Sequence, residues 1–254
     1  MRVTMLGCGT STGVPRLVSG WGDCDPNEPR NRRLRVAALV ESEGIAILID
    51  TPPDLRTQLL ACNVSRIDTV LYTHAHGDHA HGIDDLRPFS IERGAALDAY
   101  GDQRTMDELE QRFSYIFGDS QKSFYKPVLQ TKVITPGSFT VEGMIEVQAF
   151  VQQHGSIETL GYRIGDFAYS TDAVHLDDAA FDALAGVKLW IVDCLQMKPH
   201  PTHAHLDLTL EWIRRVKPKR AILTHMGPYL DYRTTFNQLP AGVEPGYDGL
   251  VVEL

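Results

Sequence analysis

This chain of 254 residues is short of cysteine, of long apolar runs and of positive charge, and each shortage closes off a class of function. Its 4 cysteines, Cys8, Cys24, Cys62 and Cys194, are scattered, so no disulfide framework is expected and a reducing cytoplasm suits them. No stretch approaches the roughly 18 consecutive apolar residues of a membrane helix, so no membrane partner is expected. The opening residues, Met1-Arg2-Val3-Thr4-Met5-Leu6-Gly7, run into a strand without the apolar region of a signal peptide. A formal net charge of −9 offers little attraction to a long polyanion, so large nucleic acids are not expected as partners. Linkers and repeats are also lacking. With 43% hydrophobic residues to fill a core, residues 1–254 read as one domain.

Histidine is scarce too, 10 in the whole chain, which makes its clustering informative. The segment Thr73-His74-Ala75-His76-Gly77-Asp78-His79 places three imidazoles and a carboxylate just behind the apolar run Val70-Leu71-Tyr72. Such nitrogen and oxygen donors suit zinc, manganese or ferrous iron. His74 and His76 alternate along an extended segment, so both rings leave the same side of the backbone. Asp78 and His79 are adjacent and diverge, as suits ligands to two different ions. One tetrahedral ion takes about four ligands. This cluster alone supplies that number and further candidate ligands follow downstream, so two ions are expected.

Strand-like segments fall at residues 2–6, 36–41, 46–49, 69–73, 96–100, 145–150, 161–164, 167–170, 189–193, 221–224 and 250–254. Gly165-Asp166 marks a hairpin turn between two of them. Helical periodicity appears at 54–62, 105–117, 179–184 and 206–216, the last stopped by Pro218. Strands in groups, with helices in both halves, predict two β-sheets face to face with helices outside.

The H-x-H-x-D-H signature resembles the metallo-β-lactamase superfamily. That resemblance implies an α+β fold, the αββα sandwich of two mixed sheets flanked by helices. It also implies further ligands, and residues stand in order to fill them. His154 follows Phe150-Val151-Gln152-Gln153, Asp172 follows Tyr169-Ser170-Thr171, and His225 follows Ala221-Ile222-Leu223-Thr224. The implied sets are His74, His76 and His154 for one ion and Asp78, His79 and His225 for the other, with Asp172 bridging. Asp50, after Ile45-Ala46-Ile47-Leu48-Ile49, is expected behind the ligands, orienting one of them or their loop.

Within the superfamily, four stretches resemble the PhnP-type phosphodiesterases, which hydrolyse cyclic phosphodiesters. They are Gly7-Cys8-Gly9-Thr10-Ser11-Thr12-Gly13-Val14-Pro15, Asn31-Arg32-Arg33-Leu34-Arg35, Gly82-Ile83-Asp84-Asp85-Leu86-Arg87 and Gly242-Val243-Glu244-Pro245-Gly246-Tyr247-Asp248-Gly249. By itself the first reads as a tight turn or as backbone amides for a phosphate; it lacks the ending of a P-loop. The branch often carries closely spaced cysteines for a structural zinc. Only Cys24 stands in that region, so packing around Trp21 is expected instead. Arg30, Arg32, Arg33 and Arg35 form either a solvated basic turn or a phosphate clamp. Arg32, Arg33, Arg35 and Arg87 are the phosphate-binding candidates.

In Pro199-His200-Pro201-Thr202-His203-Ala204-His205 the resemblance puts a catalytic histidine that is not a ligand, His203 first and His205 second. Its imidazole would give the leaving group a proton, and Asp78 is counted with the catalytic residues as well as with the ligands. The function expected is a metal-dependent hydrolase, a phosphodiesterase for a small cyclic phosphodiester such as a phosphoribosyl cyclic phosphate, or for a nucleotide-like substrate. Two divalent ions, Zn, Mn or Fe, would supply the activated hydroxide. The alternatives are a tRNase Z-like nuclease, a thioesterase- or lactamase-like hydrolase, and a non-catalytic metal- or nucleotide-binding module. Each fits less well. The tRNase Z arm and its His-Glu-Ala-Thr stretch are not seen, lactamases usually lack the bridging aspartate, and a degraded site would have lost ligands. Whether two chains pair as a homodimer is left open.

Overall fold

In the computed structural model, which describes residues 1–118 and 126–254, the chain forms two seven-stranded sheets packed face to face. The first sheet takes β1 (Arg2–Gly7), β2 (Ala37–Ser42), β3 (Ile45–Ile49), β4 (Thr69–Leu71), β5 (Leu97–Gly101) and β6 (Leu129–Val133). The second takes β7 (Gly137–Val141), β8 (Ile145–His154), β9 (Ile157–Ile164), β10 (Phe167–Ser170), β11 (Leu189–Asp193), β12 (Arg220–Thr224) and β13 (Val243–Pro245). The last strand, β14 (Leu250–Glu253), returns to the first sheet beside β1. In order, the sheets run β14-β1-β2-β3-β4-β5-β6 and β13-β12-β11-β10-β9-β8-β7.

The two sheets share one plan. Ladders from β14 to β3 are antiparallel and those from β3 to β6 parallel. In the second sheet β7 to β10 pair antiparallel and β10 to β13 parallel. Parallel strands need crossovers, which supply the outer helices. These are α1 (Leu55–Ala61), α2 (Gly77–Ala80), α3 (Arg87–Arg93), α4 (Gln103–Arg112), α5 (Ser114–Phe117), α6 (Asp178–Leu184), α7 (Leu206–Val216) and α8 (Tyr232–Gln238). No helix among the described residues is long and apolar enough to cross a membrane.

Period-two alternation sorts each strand between two apolar layers. In β3, Ile45, Ile47 and Ile49 enter the core between the sheets, while Ala46 and Leu48 face outward to Leu55 and Leu59 of α1. Helix α7 buries Leu206, Thr209, Trp212 and Ile213, one stripe at helical spacing. Each large apolar side chain on that stripe contributes roughly 1.5–3 kcal/mol. Lys217, with φ +56°, ends the helix ahead of Pro218.

The structure refines the expected elements. The periodic stretch 105–117 is two helices, because Phe113 leaves the helical region at φ −123°, ψ 41°. Strands β6, β7 and β13 and helices α2, α3 and α8 add to those expected. The hairpin at Gly165-Asp166 joins β9 to β10, with Phe167 opposite Ile164.

Candidate metal centre and active site

The site lies where the two sheets meet, at the carboxyl ends of β3 and β4 on one side and of β8 and β10 to β12 on the other. Strand ends are where side chains of an α/β sheet converge on a ligand. Three residues there turn the chain through the left-handed region: Asp50 (φ 63°), Asp172 (φ 52°) and His225 (φ 57°). Aspartate and histidine tolerate that region better than most residues, and such conformations cluster at functional sites.

Behind the ligands Asp50 is fully buried and fully bonded. One oxygen accepts the Thr73 amide at 2.8 Å; the other accepts the Thr73 hydroxyl at 2.8 Å and His79 Nδ1 at 2.7 Å. Since the Thr73 hydroxyl donates to Asp50, it accepts from His74 Nδ1 at 3.0 Å. His154 Nδ1 donates to the Thr202 carbonyl at 2.8 Å. With Nδ1 of His79, His74 and His154 bonded in this way, Nε2 is the ring atom each turns toward the centre, the one that would face a metal. Arg112 of α4 donates to the Ala75 carbonyl and pins the ligand loop from outside. Below that loop Gly82 is required: a Cβ there would stand 2.0 Å from the Pro52 carbonyl oxygen.

Asp172 is the hub. Its Oδ2 is 3.7 Å from His74 Nε2 and 3.5 Å from His154 Nε2. Its Oδ1 is 3.2 Å from His79 Nε2 and 3.3 Å from His225 Nε2. His76 Nδ1 converges on His74 Nε2 at 2.9 Å, and Asp78 Oδ2 lies 3.5 Å from His79 Nε2 and 3.7 Å from His225 Nε2. Donor atoms thus gather as His74, His76, His154 and Asp172, and as Asp78, His79, Asp172 and His225.

These donors fit divalent ions. His79 Nε2 and His225 Nε2 are buried without hydrogen-bond partners, and a buried polar atom left so is costly. Burial holds the imidazoles of His74 and His154 below their ordinary range, so neither offers a cation to the buried Asp172. Burial opposes the charge of Asp172, yet the imidazoles around it keep the carboxyl well below its ordinary value. A divalent cation in each set would satisfy the carboxylates and the orphaned nitrogens together.

His203 stands beside this centre outside both sets that share Asp172, in a third group of donors with Asp193 and His225. Its Nε2 is 3.9 Å from Asp172 Oδ2, and its ring stacks on His225 with centroids 4.5 Å apart. Nδ1 faces Asp193 Oδ2 at 3.3 Å. Burial lowers its pKa, but Asp193, followed by Asp172, outweighs that and carries it to about 9. His205 instead occupies the N-cap position of α7, outside these donor groups.

Asp193 is a residue of the site that the sequence reading missed. Fully buried at the end of β11, its Oδ2 accepts the amides of Ala173 at 3.0 Å and Ala204 at 3.3 Å as well as His203. The signal was present, since Leu189–Asp193 ends an apolar strand on an aspartate as β10 leads into Asp172.

The four arginines expected to bind phosphate have different neighbours in this structure. Arg33 is buried and its guanidinium is spent on the backbone carbonyls of Gly227 at 3.1 Å and Leu230 at 2.6 Å. Arg35 is paired with Asp54 at 3.0 Å, exposed Arg32 lies over the Trp21 ring at 5.1 Å, and Arg87 is 3.9 Å from Asp84. The four point to different neighbours because each answers a local need for a donor or a charge. Cys24, buried, faces Arg33 at 3.9 Å.

The model of the Beta-lactamase superfamily domain matches residues 46–226, which hold every ligand candidate. The chain is 31% identical over 255 residues to an octanoyltransferase of Porphyromonas gingivalis, covering 98% of this chain and 51% of that protein. It is 28% identical over 139 residues to a ribonuclease Z of Bradyrhizobium, covering 53% of this chain and 45% of that protein. The chain thus spans about half the length of the curated relatives it matches. Among solved structures, a diphosphatase of the PhnP family superposes with TM-score 0.91 at 35% identity, over 100% of this chain and 97% of the other. Matching fold, ordered ligand positions and a family model over most of the length agree: the chain belongs to the metallo-β-lactamase superfamily, in its PhnP-like branch.

Proposed function

We propose that this chain is a metal-dependent hydrolase acting on a small phosphodiester, cyclic or nucleotide-like, with two divalent ions held by the sets that share Asp172. The observation that carries the reading is the division of Asp172, each oxygen facing its own pair of imidazoles within 3.7 Å. Bound there, Zn²⁺, Mn²⁺ or Fe²⁺ would lower the pKa of a water and stabilise charge on the entering and leaving oxygens.

The chain's own residues supply the rest. Asp50, Thr73 and the Thr202 carbonyl hold the rings of His79, His74 and His154 through Nδ1. Exposed His76 stands at the mouth of the site, where a substrate would enter. Hydrolysis forms one P–O bond from water and breaks the bond to the leaving group, whose oxygen keeps the electron pair and needs a proton. His203 Nε2 is the proton donor in this reading, oriented by Asp193 at Nδ1.

A second reading keeps the same site and replaces the ester by a P–O–P link; the 35% identical PhnP-family diphosphatase favours it. Acyl transfer, which the Porphyromonas relative's name describes, has less support. The cysteines beside the site, Cys8 and Cys194, are fully buried, with thiols pushed up by burial, and so poorly suited as nucleophiles. The test is turnover by metal-reconstituted protein of bis(p-nitrophenyl) phosphate, cyclic nucleotides, a dinucleoside diphosphate, a β-lactam and a thioester. Preference for the phosphorus substrates is expected. Faster cleavage of the lactam or thioester overturns the reading.

A further inference from the structure

A pocket of about 430 Å³ is lined by Asp23, Gln196, Met197, Lys198 and Tyr229. Both of its walls lead directly out of the site. Gln196 to Lys198 follow Asp193 and precede the His203 loop; Tyr229 follows His225 by way of Met226, Gly227 and Pro228. Backbone bonds tie the walls together, the Gly227 amide donating to Leu195 at 2.8 Å and the Asp23 amide to Pro228 at 2.8 Å. The two walls pack closely at this seam, where a Cβ on Gly227 would lie 3.0 Å from the Leu195 carbonyl oxygen.

Lys198 lines the pocket and Arg16 lies against its Tyr229 wall, and neither cation has a carboxylate partner among the described residues. Arg16 lies over the Tyr229 ring, its Cζ 5.4 Å from the centroid, and its Nε donates to the Thr12 hydroxyl at 3.1 Å. Its Nη2 is 3.8 Å from where a Gly227 Cβ would be, two residues beyond His225. Lys198 is exposed on the opposite wall. In a chain of net charge −9, where Arg30, Arg33 and Arg35 are spent on carbonyls and carboxylates, two cations without a carboxylate partner at one pocket are notable donors. Tyr229 and Met197 remain 45% and 44% exposed, an aromatic face and a thioether turned to solvent. Such a pair suits a flat ring. Asp23 adds a carboxylate that suits sugar hydroxyls, as an acid does for ribose in dinucleotide sites.

We propose that this pocket is the subsite for the part of the substrate that does not react: a nucleoside whose base lies against Tyr229 and Met197, joined through a second phosphate held by Arg16 and Lys198. The substrate class is then a nucleotide carrying a diphosphate link, rather than a bare sugar cyclic phosphate. This rests on the phosphorus hydrolase reading and narrows it.

The experiment uses the metal-loaded chain with three turnover substrates: ADP-ribose, the p-nitrophenyl ester of thymidine 5′-phosphate, and methyl p-nitrophenyl phosphate. Equilibrium binding of AMP is measured by calorimetry alongside, and melting curves check that each variant folds. Arg16→Ala is expected to raise KM for ADP-ribose about tenfold, the loss of a charge-assisted bond, with little change for the methyl ester. Tyr229→Ala is expected to raise KM about tenfold for both substrates carrying a base, as lost stacking does, and to weaken AMP binding alike. Lys198→Ala gives a third probe that does not touch the Gly-rich turn. Equal effects on all three substrates, or AMP binding unchanged in every variant, overturn the subsite while leaving the hydrolase reading intact. AMP binding weakened by these variants in a protein that turns over none of the esters keeps the subsite and removes the hydrolase reading.

Discussion

Replacing His203 by alanine separates proton donation from metal binding. Among the described residues the ring hydrogen-bonds Asp193 alone, through Nδ1, and Asp193 Oδ2 keeps the amides of Ala173 and Ala204 when the ring is gone. The fold should survive, at a cost of about 1–3 kcal/mol for one lost bond to a buried charge. Neither donor group that shares Asp172 includes His203, so both should keep their ions. Turnover of a substrate with an alkoxide leaving group should fall roughly 10²–10⁴-fold, the range for a lost general acid. That is about 3–5 kcal/mol of transition-state stabilisation. The assay is kcat across a series of diesters running from p-nitrophenol to aliphatic alcohols as leaving groups. Wild type should depend weakly on the leaving group, and the variant steeply, because p-nitrophenolate departs without a proton. Added imidazole should restore part of the rate for the poor leaving groups. Equal losses across the series would refute proton donation and assign the ring to phosphate binding. Loss of metal would refute the separation itself.

Other outcomes follow from the same geometry. Elemental analysis should find two ions per chain, and Asp172→Ala should lose at least one of them together with activity; one ion at saturation in the unsubstituted protein would count against the shared carboxylate. Arg33→Met should lower stability by about 1–3 kcal/mol, since the Gly227 and Leu230 carbonyls lose their donor, with KM for phosphorus substrates unchanged; a raised KM at unaltered stability would support the clamp. Asp248, which accepts the amides of Cys8 and Leu34, is pushed by burial to about 7 from the ordinary 3.8. The folded chain therefore holds a proton that the unfolded chain releases, and stability from this group falls as pH rises through that window. Urea midpoints at about pH 4 and about pH 8 should show the fall, and Asp248→Asn, though less stable throughout, should flatten it.

The sequence made the centre of the fold and the metal cluster readable for the same reason. Strands such as β3, β11 and β12 are almost wholly buried, so they appear as apolar runs that end abruptly on Asp50, Asp193 and Thr224-His225. What escaped lies where burial is partial or the element short. Edge strands β6 (LQTKV) and β7 (GSFTV) mix polar with apolar residues, and α2 has only four residues. Helix α8 (YRTTFNQ) carries two β-branched threonines of modest helix propensity. The surroundings of the arginines could not be read ahead, because a run of charges says nothing about which carbonyl or carboxylate each will meet. Arg33 finds Gly227 and Leu230 nearly two hundred positions away. Arg16 was invisible as a candidate for the converse reason, since Tyr229 comes beside it only after both sheets have formed.

The site's ligands are divided between the halves of the molecule. His74, His76, Asp78 and His79 belong to loops of the first sheet, while His154, Asp172 and His225 belong to the second. Neither half holds a complete set, so ions bound there would act as rivets across the seam. Metal affinity would then report how well the halves are docked, and a chelator would loosen the whole protein as well as silence it. In a cell short of metal, such a chain would be lost first to proteases that cut opened molecules, making its abundance a record of metal supply.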